Sequence, residues 1–146
     1  MQKAKGFTLI ELVVVIAVTA IIAMMAAPSF AAMLAKQKLN STTSSLMETL
    51  TQARNQAVLL RTTTTVNLNT EGANTALIYN WSPSENNTLE SPVGLTSISF
   101  RRDGSASGIT ADTSFAICNS KSKTTKTFSL AVIGTVYATP NMDGTC

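Results

Sequence analysis

The sequence predicts an α+β protein in which a long N-terminal helix packs on a small antiparallel β head. Three observations support this prediction. Residues 7–27 form an apolar run, residues 28–61 continue with apolar side chains at helical spacing, and residues 62–146 are rich in β-branched residues in alternating patterns. The chain has 146 residues, which is enough for one domain and little more.

The apolar run is long enough to cross a membrane. Residues 7–27 contain a single charge, Glu11, and as a helix they would extend roughly 31 Å, about one hydrocarbon thickness. Lys3 and Lys5 precede the run, so its N-terminus is expected to face the cytoplasm. A cleaved secretory signal fits less well, because the run is too long and the small residue Gly6 comes before it.

Pro28 follows this run, and we expect it to kink the helix, since proline removes a backbone donor and clashes with the preceding turn. The alternative is that Pro28 only ends the membrane span. Residues 29–61 contain neither proline nor glycine and read as an amphipathic helix. The polar residues 40–45 are expected to fray or bend it. Arg54 and Arg61 are expected on its solvated face.

After residue 61 the spacing of apolar residues changes from helical to alternating, and predicted strands and turns follow one another. The predicted strands are residues 62–69, 75–81, 96–101, 113–118 and a hairpin of residues 127–133 and 135–138 around Gly134. Residues 82–92 are predicted to be the longest loop. The expected core aromatics are Tyr79, Trp81, Phe100, Phe115, Phe128 and Tyr137. A head of 85 residues is small, so docking on the helix should supply much of its stability.

Composition argues against catalysis. The chain has no histidine, which removes the commonest general base and any Ser-His-Asp or Cys-His arrangement. Two cysteines are too few for a structural zinc site, and the sequence has no phosphate-binding glycine loop. The net charge is +3, but residues 62–146 carry five basic and six acidic residues, so a strongly basic face is not implied. We expect a protein that is not an enzyme, with no metal and no cofactor.

The segment KGFTLIE, residues 5–11, resembles the class III signal of type IV pilins and type II secretion pseudopilins. In that family a prepilin peptidase cuts between the glycine and the phenylalanine, and the new N-terminus is methylated. The resemblance implies a leader of residues 1–6, cleavage between Gly6 and Phe7, and N-methylation of Phe7. The implied partners are the prepilin peptidase, other minor and major pilins, the inner-membrane assembly platform and the membrane itself.

Glu11 has a physical role in this scheme. A carboxylate inside lipid costs about 2.5–3.5 kcal/mol on insertion scales, so it needs a partner. Cleavage creates an α-amino group on Phe7, and the Glu11 carboxylate of one subunit can meet that ammonium group of a neighbour and fix the register between them. The alternative is that Glu11 lies shallow and reaches the lipid headgroups.

The two cysteines are expected to form a disulfide. Cys118 ends a predicted strand and Cys146 is the last residue. If the helix crosses the inner membrane once, the head lies in an oxidising periplasm before it moves to a pilus on the cell surface. A Cys118–Cys146 bridge would then tie the C-terminal tail to the sheet, and free thiols are the alternative.

A wider resemblance covers most of the chain. Residues 50–58, LTQARNQAV, are similar to the LxxARxxAV helix of the FimU/FimT minor pilin and GspH pseudopilin family, and SFRRDG, FAIC and the final cysteine match its later pieces. The resemblance implies a minor pilin that helps initiate or stabilise pilus assembly near the tip, in twitching motility and adhesion. The alternatives are a GspH-like secretion pseudopilin and a FimT-like DNA-binding minor pilin for natural transformation.

Nucleic acid is a secondary candidate partner. DNA-binding FimT proteins resemble one another in a G-R-x-R motif, whereas the matching residues 134–137 here are GTVY, without arginine. Lys121, Lys123 and Lys126 could still contact phosphates, although a solvated loop is the simpler interpretation. Arg101 and Arg102 are expected to form a turn rather than a binding patch.

Overall fold

The computed structural model describes residues 7–139 and 146. The predicted leader, with Gly6, lies outside the described residues. One helix, α1, is followed by eight strands: α1 Leu9–Leu60, β1 Thr64–Leu68, β2 Ile78–Trp81, β3 Asn87–Ser91, β4 Ser97–Phe100, β5 Ala106–Ser107, β6 Thr113–Asn119, β7 Thr124–Leu130 and β8 Val136–Ala138.

The chain divides into two compact units, Met1–Leu34 and Ala35–Cys146, and α1 runs from the first into the second. In the first unit every described side chain is exposed. Pro28 lies inside α1 and does not end it. The kink at Pro28 stays a prediction.

In the second unit, a bend at the polar residues 40–45 stays a prediction. The chain remains helical through this stretch, so the prediction that it frays is wrong. The reason is that two of its threonines are buried. The Thr43 hydroxyl donates to the Leu39 carbonyl at 2.8 Å, which satisfies it within the helix. The Thr42 hydroxyl forms hydrogen bonds with the Ser84 and Asn87 side chains of the head.

The strands form two four-stranded sheets, with the orders β2-β1-β4-β5 and β3-β6-β7-β8. All the neighbouring pairs are antiparallel except β1 and β2, which pair in parallel with Thr65 opposite Ile78. The prediction of an antiparallel head is therefore right for most of the pairing and wrong for β2. Strands β1, β2, β4, β6, β7 and β8 all fall on predicted segments, and Gly134 lies in the turn of the β7–β8 hairpin as predicted.

Two strands were not predicted. Strand β3 lies inside the segment 82–92 that was expected to be a loop, and it pairs with β6. Its sequence, NTLES, is mostly polar and lacks the β-branched pattern that usually indicates a strand. Strand β5 has only two residues, too few to give any periodic signal.

The core lies between the second half of α1 and the sheets. The helix contributes a stripe at three- and four-residue spacing that includes Leu46, Leu50, Ala53 and Ala57, all fully buried. The strands contribute mainly aromatic and branched side chains, with the rings of Phe115 and Phe128 stacked at a centroid distance of 4.9 Å. The fully buried large side chains of the strands are Val66, Ile98, Phe100, Phe115, Ile117, Phe128 and Leu130.

The predicted core aromatics are confirmed except at the C-terminal hairpin. Phe100, Phe115, Phe128 and Trp81 are buried and Tyr79 packs against the core, but Tyr137 is 42% exposed. Tyr137 belongs to the edge strand β8, and its hydroxyl donates to the Asp112 carboxylate at 3.4 Å.

Candidate functional site

Thr8 caps the N-terminal end of α1. The Thr8 hydroxyl accepts a hydrogen bond from the backbone N–H of Glu11 at 3.3 Å, and the Thr8 carbonyl accepts one from Leu12. Glu11 is the third residue of the helix and is exposed, so its carboxylate lies at the positive end of the helix dipole. The T-x-x-E spacing of residues 8–11 is the signal in the sequence from which this cap could have been predicted.

The first unit has a large apolar surface that the described residues of this unit do not cover. Helix α1 is long and apolar enough to cross a membrane, and none of its most apolar stretch is buried. Phe7, just ahead of the helix, is 83% exposed. Apolar surface on this scale requires lipid or other proteins. Further exposed apolar residues of this unit are Leu9, Ile10, Leu12, Val13, Val14, Val15, Ile16, Val18, Ile21, Ile22, Met24, Met25, Phe30, Met33 and Leu34.

The structure contains the predicted disulfide between Cys118 and Cys146, with the two Cα atoms 5.8 Å apart. Cys118 lies in β6 and is buried, so the bridge ties the last residue of the chain to the middle of a sheet. The Glu90 carboxylate lies within 4.8 Å of both sulfur atoms. This group is not a metal site, because bridged sulfurs are not thiolates.

A chain of hydrogen bonds joins α1 to the second sheet. The buried Asn87 side chain donates to the Thr42 hydroxyl at 2.7 Å and to the Ser84 hydroxyl at 3.0 Å, and it accepts from the Asn119 amide at 2.7 Å. The Asn119 oxygen in turn accepts from the backbone N–H of Lys121 and of Ser122. This polar network fixes β3, β6 and the β6–β7 turn to the helix.

Arg54 does not lie on a solvated face as predicted. Its guanidinium Nε donates to the Gly104 carbonyl at 3.2 Å, and the side chain is half-buried. A Cβ at Gly134 would overlap the Gly104 carbonyl oxygen and approach Arg54 Nε to 2.9 Å. With φ near +84°, position 134 also favours glycine by conformation. The helix and two turns therefore meet at Arg54.

Arg101 and Arg102 lie in the predicted turn, which is closed by a 2.8 Å bond from the Gly104 N–H to the Arg101 carbonyl. Hydrogen bonds from the Ser105 hydroxyl and N–H lower the pKa of Asp103 in this turn, and Arg101 adds a smaller electrostatic effect. Arg61 follows α1 and is exposed, as expected. Together with Arg101 and Arg102 it lines an open cleft of about 420 Å³.

The three candidate lysines do not act as one free basic patch. Lys121 and Lys123 are exposed in the β6–β7 turn. Lys126 lies in β7, and its ammonium donates to the Asn40 side chain on α1 at 2.8 Å. Only the first two lysines of the cluster extend freely from the turn.

Comparison with known proteins gave a match to a family model at the N-terminus and a match to a solved structure. A family model described as the prokaryotic N-terminal methylation motif matches residues 1–27. No curated protein matches the chain. Among solved structures, the type IV minor pilin FimU of Pseudomonas aeruginosa matches with a TM-score of 0.56 and 16% identity, over 72% of this chain and 90% of that one. The chain thus combines a prokaryotic N-terminal methylation motif with a fold similar to that of a type IV minor pilin.

Proposed function

We propose that the chain is a minor pilin, a structural subunit that helps initiate or stabilise assembly of a type IV pilus near its tip. One observation carries the proposal: the N-terminal methylation motif stands on the same chain as a fold similar to that of a minor pilin. Neither part alone would separate a filament subunit from another membrane-anchored domain.

Processing comes first in this mechanism. The prepilin peptidase cleaves between Gly6 and Phe7, and Phe7 becomes the N-methylated N-terminus. Before assembly, the apolar half of α1 spans the inner membrane once, with the head in the periplasm. The exposed apolar surface of residues 7–34 supports this step, because that surface needs a hydrocarbon environment.

Assembly then exchanges lipid for protein around the same helix. The assembly platform moves the subunit out of the bilayer, and neighbouring pilins cover the apolar half of α1. Glu11 pairs with the Phe7 ammonium group of an adjacent subunit, which offsets two charges in an apolar environment and fixes the axial register. The Thr8–Glu11 cap supports this role, since it holds Glu11 in the first helical turn.

The head acts as a rigid, non-catalytic module in this proposal. Its tail is anchored by the Cys118–Cys146 bridge, and its second sheet is anchored by the Asn87 polar network. A stable outer shape suits a subunit that must dock specific neighbours. The energy for filament growth would come from cytoplasmic partners.

The GspH-like pseudopilin and the FimT-like DNA-binding pilin are the alternatives. Neither is favoured by a specific contact in the described residues. Lys126 is a weaker candidate for a phosphate contact with DNA, because its ammonium group donates a hydrogen bond to the Asn40 side chain.

The deciding experiment compares the pilin sheared from the surface of a strain that cannot retract its pili with that from the same strain lacking this chain. We expect a large loss of sheared pilin in the deletion strain and its recovery with the wild-type chain. Recovery should fail with Glu11→Val. An unchanged yield in the deletion strain would contradict the proposal and favour the two alternatives.

A further inference from the structure

An arginine-lined cleft lies where α1 meets the first sheet. It has a volume of about 420 Å³ and is lined by Arg61, Thr62, Thr63, Arg101 and Arg102. The first three residues connect α1 to β1, and the two remaining arginines directly follow β4. Because Thr64 of β1 is the antiparallel partner of Phe100 of β4, these two segments emerge side by side at one end of the sheet.

The cleft is held in shape by the backbone and by Arg54. The Thr62 N–H donates to the Ala57 carbonyl at 3.1 Å, which fixes the chain as it leaves the helix. On the other side, Arg54 holds the turn that carries Arg101 and Arg102 through its bond to Gly104. The three arginines of the cleft are thus presented by anchored backbone rather than by a long loop.

The positive charge of the cleft is not neutralised by the described part of the chain. Within residues 7–139 and 146, no carboxylate lies within 4.0 Å of Arg61, Arg101 or Arg102 in an ion pair. The adjacent acid, Asp103, directs its carboxylate to Ser105. Apart from Arg101 and Arg102, residues 62–146 carry three basic and six acidic residues, so the cleft concentrates positive charge on a head that is otherwise acidic.

The cleft lies at the opposite end of the head from the point where α1 enters it. From Ala35 to Leu60 the helix extends about 38 Å at 1.5 Å per residue. The Lys121–Lys123 turn is near the other end, since Lys126 contacts Asn40 and Asn119 is linked to Thr42 through Asn87. Within the head, the cleft is therefore at the end of α1 that is most distant from Ala35.

The surroundings of the cleft favour a protein partner over a nucleic acid. Leu59 is 76% exposed and Leu60 is 46% exposed, immediately before Arg61. Arginine beside exposed aliphatic residues is typical of protein interfaces, where lysine is depleted. Nucleic-acid surfaces add lysines and stacking aromatics, and the lining of this cleft contains neither.

We propose that this cleft docks an acidic segment, Asp or Glu flanked by apolar residues, from another subunit of the same filament. Guanidinium groups bind carboxylates in bidentate geometry, and the exposed leucines would bury the flanking side chains. This inference rests on the proposed function and names the surface through which the subunit acts.

The test uses the full chain in piliated cells, with a photo-crosslinking amino acid in place of the exposed Thr63. We expect an adduct with a second pilin-like subunit whose cross-linked peptide contains Asp or Glu. The double variant Arg101→Glu/Arg102→Glu should reduce that adduct about tenfold or more. Lys121→Glu/Lys123→Glu, which makes the same change of charge at the other end of the head, should leave it unchanged.

A fold control uses the milder pair Arg101→Gln/Arg102→Gln. Both arginines are exposed, so the thermal unfolding of either arginine variant in detergent should match that of the wild type. An adduct that is absent, or that persists at full yield in the charge-reversed chain, would overturn the proposal. Binding of labelled duplex DNA by the purified chain, lost in the Gln variant, would overturn it in favour of a nucleic-acid site.

The two proposals fail in different ways. If the chain is not an assembly subunit, sheared pilin is unchanged when the whole chain is deleted. If only the docking inference is wrong, the deletion strain loses its pilin, but the chain with Arg101→Glu/Arg102→Glu restores it fully.

Discussion

The two halves of α1 form one continuous helix but differ in whether their apolar side chains are buried. Between Leu9 and Leu34 every side chain is exposed, although most of them are apolar. Between Ala35 and Leu60, eight residues are buried against the head. The second half buries its apolar stripe against the head, whereas the first half exposes an apolar surface that requires lipid or other proteins.

The sequence patterns of the two halves of α1 show the same difference. In the second half, Leu39, Leu46, Leu50, Ala53 and Ala57 recur on one face, and the exposed residues are mostly polar until the last three, residues 58–60. The first half is apolar on all sides, as expected for a helix surrounded by hydrocarbon or packed in the centre of a bundle. Only the head should therefore depend on intramolecular packing for its stability.

The largest contrast is expected from a matched pair of truncations in α1. Leu50→Ala removes a fully buried side chain and should lower the free energy of unfolding by about 2–5 kcal/mol. Ile16→Ala removes a side chain that is 58% exposed and should change it by less than about 0.5 kcal/mol. Denaturant titration of the full chain in detergent measures both. Equal losses would show that the halves are not energetically distinct.

The disulfide should contribute almost as much to the stability of the head as the buried Leu50 side chain does. Cys118 and Cys146 are separated by 28 residues in the sequence. In the chain-entropy model, removing their disulfide is expected to lower the free energy of unfolding by about 3–4 kcal/mol. The double variant Cys118→Ser/Cys146→Ser should unfold correspondingly earlier in the same titration. Reductant should destabilise the wild type to a similar degree and leave the double variant unaffected. A variant as stable as the wild type would refute this assignment.

Breaking the polar network should have a smaller effect. Asn87→Ala removes the acceptor of the buried Asn119 amide and should cost about 1–3 kcal/mol, because a buried donor loses its partner. Asn55→Ala, on the exposed side of the same unit, is the matched control and should be close to neutral. If both variants unfold alike, the network does not hold the second sheet to the helix.

The smallest effect on stability is expected at Glu11, together with a complete loss of assembly. Glu11→Gln keeps a polar side chain that can complete the helix cap and removes only the charge. The head should unfold as in the wild type, while the amount of this chain in sheared filaments should fall to background. Thr8→Val, which removes the capping hydroxyl, should assemble better than Glu11→Gln. The reverse order would assign the role of Glu11 to capping rather than to ion pairing.

Local patterns in the sequence predicted the helix and most strands, because each of these leaves a signal within a short window. The disulfide was predicted instead from the only two cysteines of the chain and the oxidising compartment expected for the head. Strand β3 left no such signal: its polar residues are satisfied by partners distant in sequence, such as Thr42 and Asn119. The parallel pairing of β2 likewise depends on the path of the chain between two strands rather than on the composition of either.

The functional surfaces likewise differ in whether their residues are adjacent in the sequence or are brought together only by the fold. The motif at residues 5–11 is contiguous and was recognised directly. Arg54 was assigned to the solvated face because helical periodicity alone cannot anticipate a carbonyl 50 residues away. The arginine cleft was missed for the same reason, since Arg61 and Arg101 are brought together only by the pairing of β1 with β4.

The most direct test is mass spectrometry of this chain in filaments sheared from the cell surface. Our account predicts that the chain is present there and that its N-terminal peptide begins at N-methylated Phe7, with residues 1–6 removed. Finding the chain only in the membrane fraction, with residues 1–6 still attached, would contradict the claim that the apolar half of α1 is built for a filament.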